Sequence, residues 1–318
     1  MSRAIRPVLN IRDGQVGLLA SLFILCVVLA LASPFFLLPQ NLFNVARASS
    51  YIGIAAAITT MVLVSGGLDL SIGAVMALVG VVCAQLVNAH IPWFVVVMAG
   101  LIVGGIVGAA NGILVAGVGI NPFIVTIGTQ FFVRGIAYAL VRGQELIITE
   151  PNFLFIGQGN ILGVPFPAVL MVLVFLLVGW LMRYTRFGKH IYAIGGSLSA
   201  SRLAGIPVNR RRMQAYILSG VFAALAGIVL AGFTGSGLAY AASGTELTIV
   251  AAVILGGTSL LGGRGTVTGT LLGVLLLGVI NNGFVLLRIP SYWQYAVQGA
   301  ALLLAVVVDE VRAKRGTR

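Results

Sequence analysis

Apolar residues run along this chain in long blocks broken by short polar stretches, with no sustained alternation of period two and no narrow amphipathic stripe. A helix that crosses a membrane needs about 20 mainly apolar residues. Blocks of that kind fall at 16–38, 44–65, 70–88, 92–117, 122–141, 165–182, 213–233, 246–262, 266–287 and 292–308. The breaks between the second and fifth blocks are the shortest, at Gly66-Gly67, Asn88–Pro92 and Gly117–Pro122. The pattern predicts an all-α polytopic membrane protein, with about ten transmembrane helices in a single domain over residues 1–318.

Composition points the same way. Hydrophobic residues make up 59% of the chain and charged residues 8%, against about 25% charged in soluble domains. The 42 glycines suit close helix–helix approach in lipid. Nineteen basic residues outnumber seven acidic ones, a balance that in a soluble protein would suggest nucleic acid. Their positions give a different reading. With a cytoplasmic N-terminus, ten spans place Arg3, Arg6, Arg12, Arg183, Arg186, Lys189, Arg202, Arg210, Arg211, Arg212, Arg264, Arg312, Lys314, Arg315 and Arg318 inside, fifteen of the nineteen. Arg47, Arg142 and Arg288 fall outside and Arg134 within a span. That asymmetry follows the positive-inside rule and predicts that both termini are cytoplasmic. The start resembles a cleavable signal with "ALAS" at 30–33, but its apolar run is longer than a signal core, so an uncleaved first span is expected.

Five spans per half would make the halves inverted repeats, about 16–142 and 165–308, an arrangement common in transporters. Three segments support this in the same order. "GLDLSIGAVMAL" (67–78) aligns with "GTELTIVAAVIL" (244–255), pairing Asp69 with Glu246 and Ser71 with Thr248. "RASSYI" (47–52) aligns with "RMQAYI" (212–217), and "NG" at 111–112 with "NG" at 282–283. Asp69 then stands at the start of the third span on the cytoplasmic face, and Glu246 at the start of the eighth on the outer face. Each carboxylate is expected to satisfy N–H groups at its helix start, Asp69 as the N-cap and Glu246 in the first turn. Gly66 and Gly67 let the backbone turn tightly before Asp69. The competing reading of either acid is a substrate or ion site.

Several chemistries are missing. Cys26 and Cys83 lie in apolar runs without metal or redox spacing, and His90 and His190 stand alone, so no metal site is expected. The one Gly-Lys, in "FGKH" (187–190), lacks the rest of a phosphate-binding loop. No catalytic cluster is seen; the chain is not expected to be an enzyme or to carry a cofactor. All seven acids fall at predicted span ends or in loops, which argues against ion-driven transport. Arg134 reads either as a snorkelling side chain or as a pore-facing charge. Asn111, Asn281, Asn282 and Gln130 are polar residues within spans, and serve either a translocation pathway or interhelical hydrogen bonds.

The longest polar stretch, 183–212, carries seven basic residues and no acid. Within it "SLSASRLAGIP" reads as a short helix, with Ser197 as N-cap, Gly205 as the stop and Pro207 blocking continuation. By sequence alone it is either a surface helix or a lever that a partner can push.

"SGGLDLSIGAVMAL", "NGILVAGVGINPFIVTIGT", "YAIGGSLSASRLAGIPVNRRR", "ILGGTSLLGGRGTVTGTLLGVLLLGVINNGF" and "YWQYAVQGAALLLAVVVD" together resemble the permease subunits of ribose-type ABC sugar importers, over about residues 15–310. The resemblance implies a bacterial inner-membrane permease for a monosaccharide. Its expected partners are cytoplasmic ABC ATPase subunits, a periplasmic sugar-binding protein and a second permease copy in a homodimer. It makes Ser197, Ser199, Ala200, Ser201, Arg202, Leu203, Ala204 and Gly205 the helix that docks on the ATPase. Where such permeases often carry a Glu-Ala-Ala-like run, this chain has Ser199-Ala200-Ser201. ABC importers of branched-chain amino acids, nucleosides or a quorum-signal sugar are the alternatives within the class. A stand-alone secondary carrier or a membrane scaffold lies outside it.

Overall fold

In hydrocarbon a backbone must satisfy its own N–H and C=O groups, and the apolar blocks do so as helices. The structure, a computed structural model, describes residues 11–290 and, beyond them, only positions 292–294, 296–297, 299–300, 303 and 307. The tenth predicted span, 292–308, and the charged tail after it therefore lie largely outside the described residues.

The chain opens with α1 (Ile11–Ala32), α2 (Pro39–Val64), α3 (Ile72–Asn88) and α4 (Trp93–Gly112), whose last turns widen into a π-helical stretch, Ile113–Val118. α5 (Pro122–Val141), the two-residue strand β1 (Leu146–Ile147), α6 (Pro151–Gln158) and the small hairpin β2 (Asn160–Ile161) and β3 (Val164–Pro165) follow. Next come α7 (Phe166–Tyr184), α8 (Arg186–Gly196), α9 (Leu198–Leu203) and α10 (Val208–Thr234). β4 (Ser236–Gly237), which pairs antiparallel with β1, then leads to α11 (Thr245–Leu255) and α12 (Val267–Leu286). Proline opens α2, α5 and α6, where its missing N–H costs nothing. Side-chain caps at Asn121, Glu150, Thr185 and Thr266 fix the starts of α5, α6, α8 and α12.

Among the described residues, seven helices are long and apolar enough to cross a membrane: α1, α2, α4 with its π-helical stretch, α5, α7, α10 and α12. α3 and α11 are apolar but shorter. Three predicted boundaries are corrected. The first span ends at Ala32, because residues 33–38 turn and Pro39 begins a new helix. The second accordingly starts at 39 and not 44. The eighth, expected over 246–262, stops at Leu255, since Gly257, Gly262, Gly263 and Gly265 all take left-handed or mirror-β backbone that a helix cannot accommodate.

α2, α3 and α10 form the centre. From Ser49 to Val64, α2 is buried almost all round, and α10 packs against α2, α3 and α4. α1 lies at the edge against α12, with Phe23 and Leu31 70% and 85% exposed, as an apolar face turned outward to lipid or a partner requires. Burying apolar surface gains little when the alternative is lipid, so close packing has to hold the helices together. α4 supplies it with Gly100, Gly104, Gly108 and Gly112, one residue per turn on one face. A Cβ at Gly104 would run into the Gly220 carbonyl of α10, and one at Gly220 into the Gly104 carbonyl. One turn on, a Cβ at Gly108 would meet the Tyr216 carbonyl.

Gly104→Leu should therefore cost about 1–3 kcal/mol of stability through overpacking. This would be read as a fall of several degrees in the melting temperature of the detergent-solubilised protein. Gly17→Leu on α1, where nothing lies within 4 Å of the new Cβ, should leave it unchanged.

Candidate functional site

Two short helices begin inside the protein and run in opposite directions. α2 ends at Val64, Gly66 turns with φ +73°, and residues 67–71 form a non-helical segment before α3 begins. α10 ends at Gly235 with φ +69°, and the chain passes through β4 and a turn region before Gly244, with φ +79°, opens α11. The two helix starts abut: a Cβ on Gly73 of α3 would strike Glu246 Oε2 and the Ala242 carbonyl. From there α3 runs to Asn88, whose Nδ2 donates to the Ile147 carbonyl in β1. α11 runs the other way, into the loop whose Gly263 N–H donates to the Val64 carbonyl at the end of α2 (2.8 Å). At about 1.5 Å per residue, α3 and α11 extend ~25 and ~16 Å, and neither crosses a membrane of about 30 Å alone.

α5 lies across this meeting point and gives it a polar face. Thr126, Thr129, Gln130 and Arg134 recur at helical spacing. The Thr126 hydroxyl is bonded within its own helix, to the Pro122 carbonyl, and reaches toward the Leu68 carbonyl at 3.5 Å. Thr129 donates to Asn111 Oδ1 (2.7 Å) and Gln130 Nε2 to Glu246 Oε1 (2.8 Å). Arg134 Nη1 donates to the carbonyls of Ala239 and Ala241, at 2.8 and 2.6 Å. Gln130 is close to the midpoint of α5, so this contact lies deep in the helix layer.

Asp69 does not cap α3. The N-cap position belongs to Ser71, which makes no side-chain capping bond. Asp69 instead forms a turn of its own: Oδ1 accepts from the Ser71 N–H (3.0 Å) and hydroxyl (2.6 Å). Oδ2 accepts from the Ser219 hydroxyl of α10 (2.7 Å). Asn111 Nδ2 donates to Ser71 Oγ, so the network runs from α10 through Asp69 and Ser71 to Asn111 and Thr129. Asp69 is 2% exposed and Glu246 7%. The expectation that they mark opposite faces is thereby corrected, since their helix starts abut: the non-helical segment before α3 carries the first inward, and the turn region before α11 does the same for the second. The described acids do lie at helix ends or between helices, as expected, but for Asp69 and Glu246 those places are in the protein interior.

The other sequence candidates separate. Asn111, Gln130, Arg134, Asp69, Gly66, Gly67 and Glu246 gather around α3 and α5. Asn282 lies elsewhere and exchanges two amide hydrogen bonds with Asn41 between α12 and α2, with the half-buried Asn281 beside it. Sequence reading missed Ser71, Ser219, Thr129 and the Ala239–Ala241 carbonyls. The pairing of Ser71 with Thr248 in the repeat was the one signal pointing toward them.

The basic loop makes a second feature. Ser197 Oγ accepts from the Ala200 N–H, α9 runs from Leu198 to Leu203, and Gly205 with φ +74° ends it. Ser201 faces inward, whereas Ser199, Ala200, Arg202 and Ala204 are exposed and Leu203 is 91% exposed. α8, which leads into α9, touches both broken segments. A Cβ at Gly195 would collide with the Val64 carbonyl and the Gly263 N–H, the two groups that bond to each other. Tyr192 donates to the Gly265 carbonyl (2.8 Å), and burial pushes its phenol pKa up. Among the described residues, no group of three or more His, Cys, Asp or Glu side chains could hold a metal.

The family model described as the permease component of branched-chain amino acid transport systems matches residues 41–306. Ribose import permease protein RbsC of Escherichia coli K12 is 40% identical over 295 residues, 92% of each chain. RbsC of Bacillus subtilis 168 is 38% identical over 301 residues, 94% of each. The L-arabinose ABC transporter permease protein AraH of Azospirillum brasilense is 36% identical over 296 residues, 93% of this chain and 87% of its own. No solved structure matches the chain.

Asp69 is used as an acceptor of three hydrogen bonds, and its replacements should rank accordingly. Asn keeps one oxygen for Ser71 and offers an amide that a rotated Ser219 hydroxyl can accept. Leu leaves those donors buried and unpaired, at about 1–3 kcal/mol each. Asp69→Asn should stay within a few degrees of the parent melting temperature and Asp69→Leu should fall well below it. Equal loss in both would mean that the charge itself is required.

Proposed function

This chain belongs to the family described as the permease component of branched-chain amino acid transport systems, and from that premise we propose that it forms the translocation pathway of an ABC importer for a monosaccharide. The observation that carries the proposal is the match, over nine-tenths of this chain, to permeases named for ribose and arabinose import. Those relatives favour a sugar over the amino acid of the family's description.

In this reading the basic loop 183–212 faces the cytoplasm, as the positive-inside rule asks, and the ends of α2 and α11 face it too. Ten spans, the tenth at 292–308, form two inverted five-helix repeats. Their broken members are α3 with its irregular lead and α11 with its own, meeting at mid-membrane. Discontinuous helices meeting there are a recurrent design for solute pathways. ATP is hydrolysed on separate cytoplasmic subunits, a periplasmic binding protein delivers the sugar, and a second copy of the permease completes the pore. This chain needs no cofactor of its own.

α9 supplies the mechanical input. It is short, capped at both ends and exposed, with Arg202 and Leu203 standing out for a partner to hold. α8 carries displacement from α9 to Gly195, where the end of α2 and the 262–265 loop converge. That contact lies at the foot of both re-entrant segments. Movement there shifts the starts of α3 and α11 against α5 without unwinding a full-length helix, and so opens the pathway to one side or the other.

Reconstitution with the ATPase and binding protein encoded beside this chain should give ATP-dependent uptake of D-ribose or L-arabinose. Uptake that survives omission of the ATPase would sink the importer reading. Arg202→Glu reverses the charge α9 presents, and Gly205→Pro cannot adopt the φ of +74°. Both should lower sugar moved per ATP hydrolysed by roughly tenfold or more, the range for truncating a charged contact. Gly195→Ala should lower the same ratio several-fold, whereas Gly196→Ala, with open space around its Cβ, should not.

A further inference from the structure

The cluster where α5 meets α11 holds two polar atoms that nothing in the fold uses. Glu246 Oε1 accepts from Gln130, but Glu246 Oε2 is buried without a hydrogen-bond partner. Arg134 Nη1 holds the Ala239 and Ala241 carbonyls, but Arg134 Nη2 is buried and unpartnered too. The two side chains interact electrostatically, and Glu246 is 93% buried by its 7% exposure. Leaving a charged group's oxygen or N–H unpaired in the interior costs more than an ordinary lost hydrogen bond. Such atoms call for a role that is filled in another state. Asp69 shows the contrast a short distance away, with both carboxylate oxygens occupied.

We propose that Glu246 Oε2 and Arg134 Nη2, supported by Gln130, form the seat that two neighbouring hydroxyls of a sugar occupy as it crosses. This rests on the importer reading above and deepens it. The chemistry fits a polyol: each hydroxyl both donates and accepts, so one donates to the carboxylate oxygen while its neighbour accepts from the guanidinium. In the present conformation the seat is shut, because both atoms are buried between α5 and the 239–246 segment. Displacing that segment from α5 exposes them together. The start of α3 at Gly73 forms the floor, where any larger residue would press on Glu246 Oε2. Gln130 keeps the carboxylate turned by holding its other oxygen, and the Ala239 and Ala241 carbonyls do the same for the guanidinium. With only two open valences the seat recognises hydroxyls without retaining them, as a pathway that must release its cargo requires.

The test is a cycle between protein and substrate. ATP-dependent uptake of D-ribose and of its 2-, 3- and 5-deoxy analogues is measured in proteoliposomes carrying the complete importer. Parent, Glu246→Gln and Arg134→Gln permeases are compared. For each sugar the rate is expressed relative to the parent, which cancels delivery by the common binding protein. Glu246→Gln and Arg134→Gln should each slow D-ribose uptake by about tenfold or more, as expected for a hydrogen bond to a charged group. For at least one deoxy analogue the same variants should match the parent, since the hydroxyl they serve is already gone; the two losses are then non-additive. Equal slowing of every sugar, or no slowing of any, overturns the seat and leaves the residues as structural. If one variant does not fold, as shown by its melting temperature, the other decides. A parent complex that moves neither D-ribose nor L-arabinose overturns the importer reading itself, an outcome distinct from either of these.

Discussion

Hydrocarbon offers no hydrogen bonds, so a helix that stops halfway through a membrane protein must have its loose backbone groups met by other protein. This chain breaks its helices twice in its buried interior, and much of the remaining structure meets the demand those breaks create. Asp69 takes the Ser71 N–H, the Val64 carbonyl takes Gly263, and Arg134 takes the carbonyls of Ala239 and Ala241. α5 owes its row of Thr126, Thr129, Gln130 and Arg134 to lying over both breaks. The glycine face of α4 brings α10 close enough for Ser219 to reach Asp69. The polar groups and the small residues thus serve one purpose.

The same arrangement separates what must stay rigid from what can move. α4 and α10 are locked backbone to backbone, where any side chain would collide. The segments before α3 and α11 are not helical, so they can change direction without surrendering a helix's internal bonds. α8 meets the broken segments through Gly195 and Tyr192, and both α8 and α9 also lie against α10. A rigid frame with two irregular strands running through it suits a pathway that opens alternately to each side.

Sequence disclosed the helices well and their depth poorly. α5 was bounded correctly at 122–141 because Asn121-Pro122 is an unambiguous start. α9 was legible from Ser197, Gly205 and Pro207. The eighth span was overextended because "GGTSLLGG" is apolar enough to pass for helix, and only the backbone angles of its glycines reveal a loop. Asp69 and Glu246 were paired by the repeat yet assigned to opposite surfaces. Hydropathy reads any polar break as a place where the chain leaves lipid, and cannot distinguish a surface turn from an irregular segment folded into the interior. Partners contributed by distant helices, such as Ser219 for Asp69, leave no local pattern to find.

The shortness of α11 also dictates an order of assembly. An eleven-residue helix is too brief to lodge in a bilayer as it leaves the ribosome, so it must wait for α10 and α12 to flank it. The seven long helices among the described residues each have the length and apolarity to cross a bilayer on their own, which α11 lacks. Gln130 and Arg134 are synthesised early, yet their partners at Ala239, Ala241 and Glu246 emerge about a hundred residues later. Until that segment is made, Arg134 lacks the two carbonyls and the carboxylate that face it in the folded protein. The contacts that the 239–246 segment makes with Gln130 and Arg134 are thus the last of the polar contacts along α5 to become available.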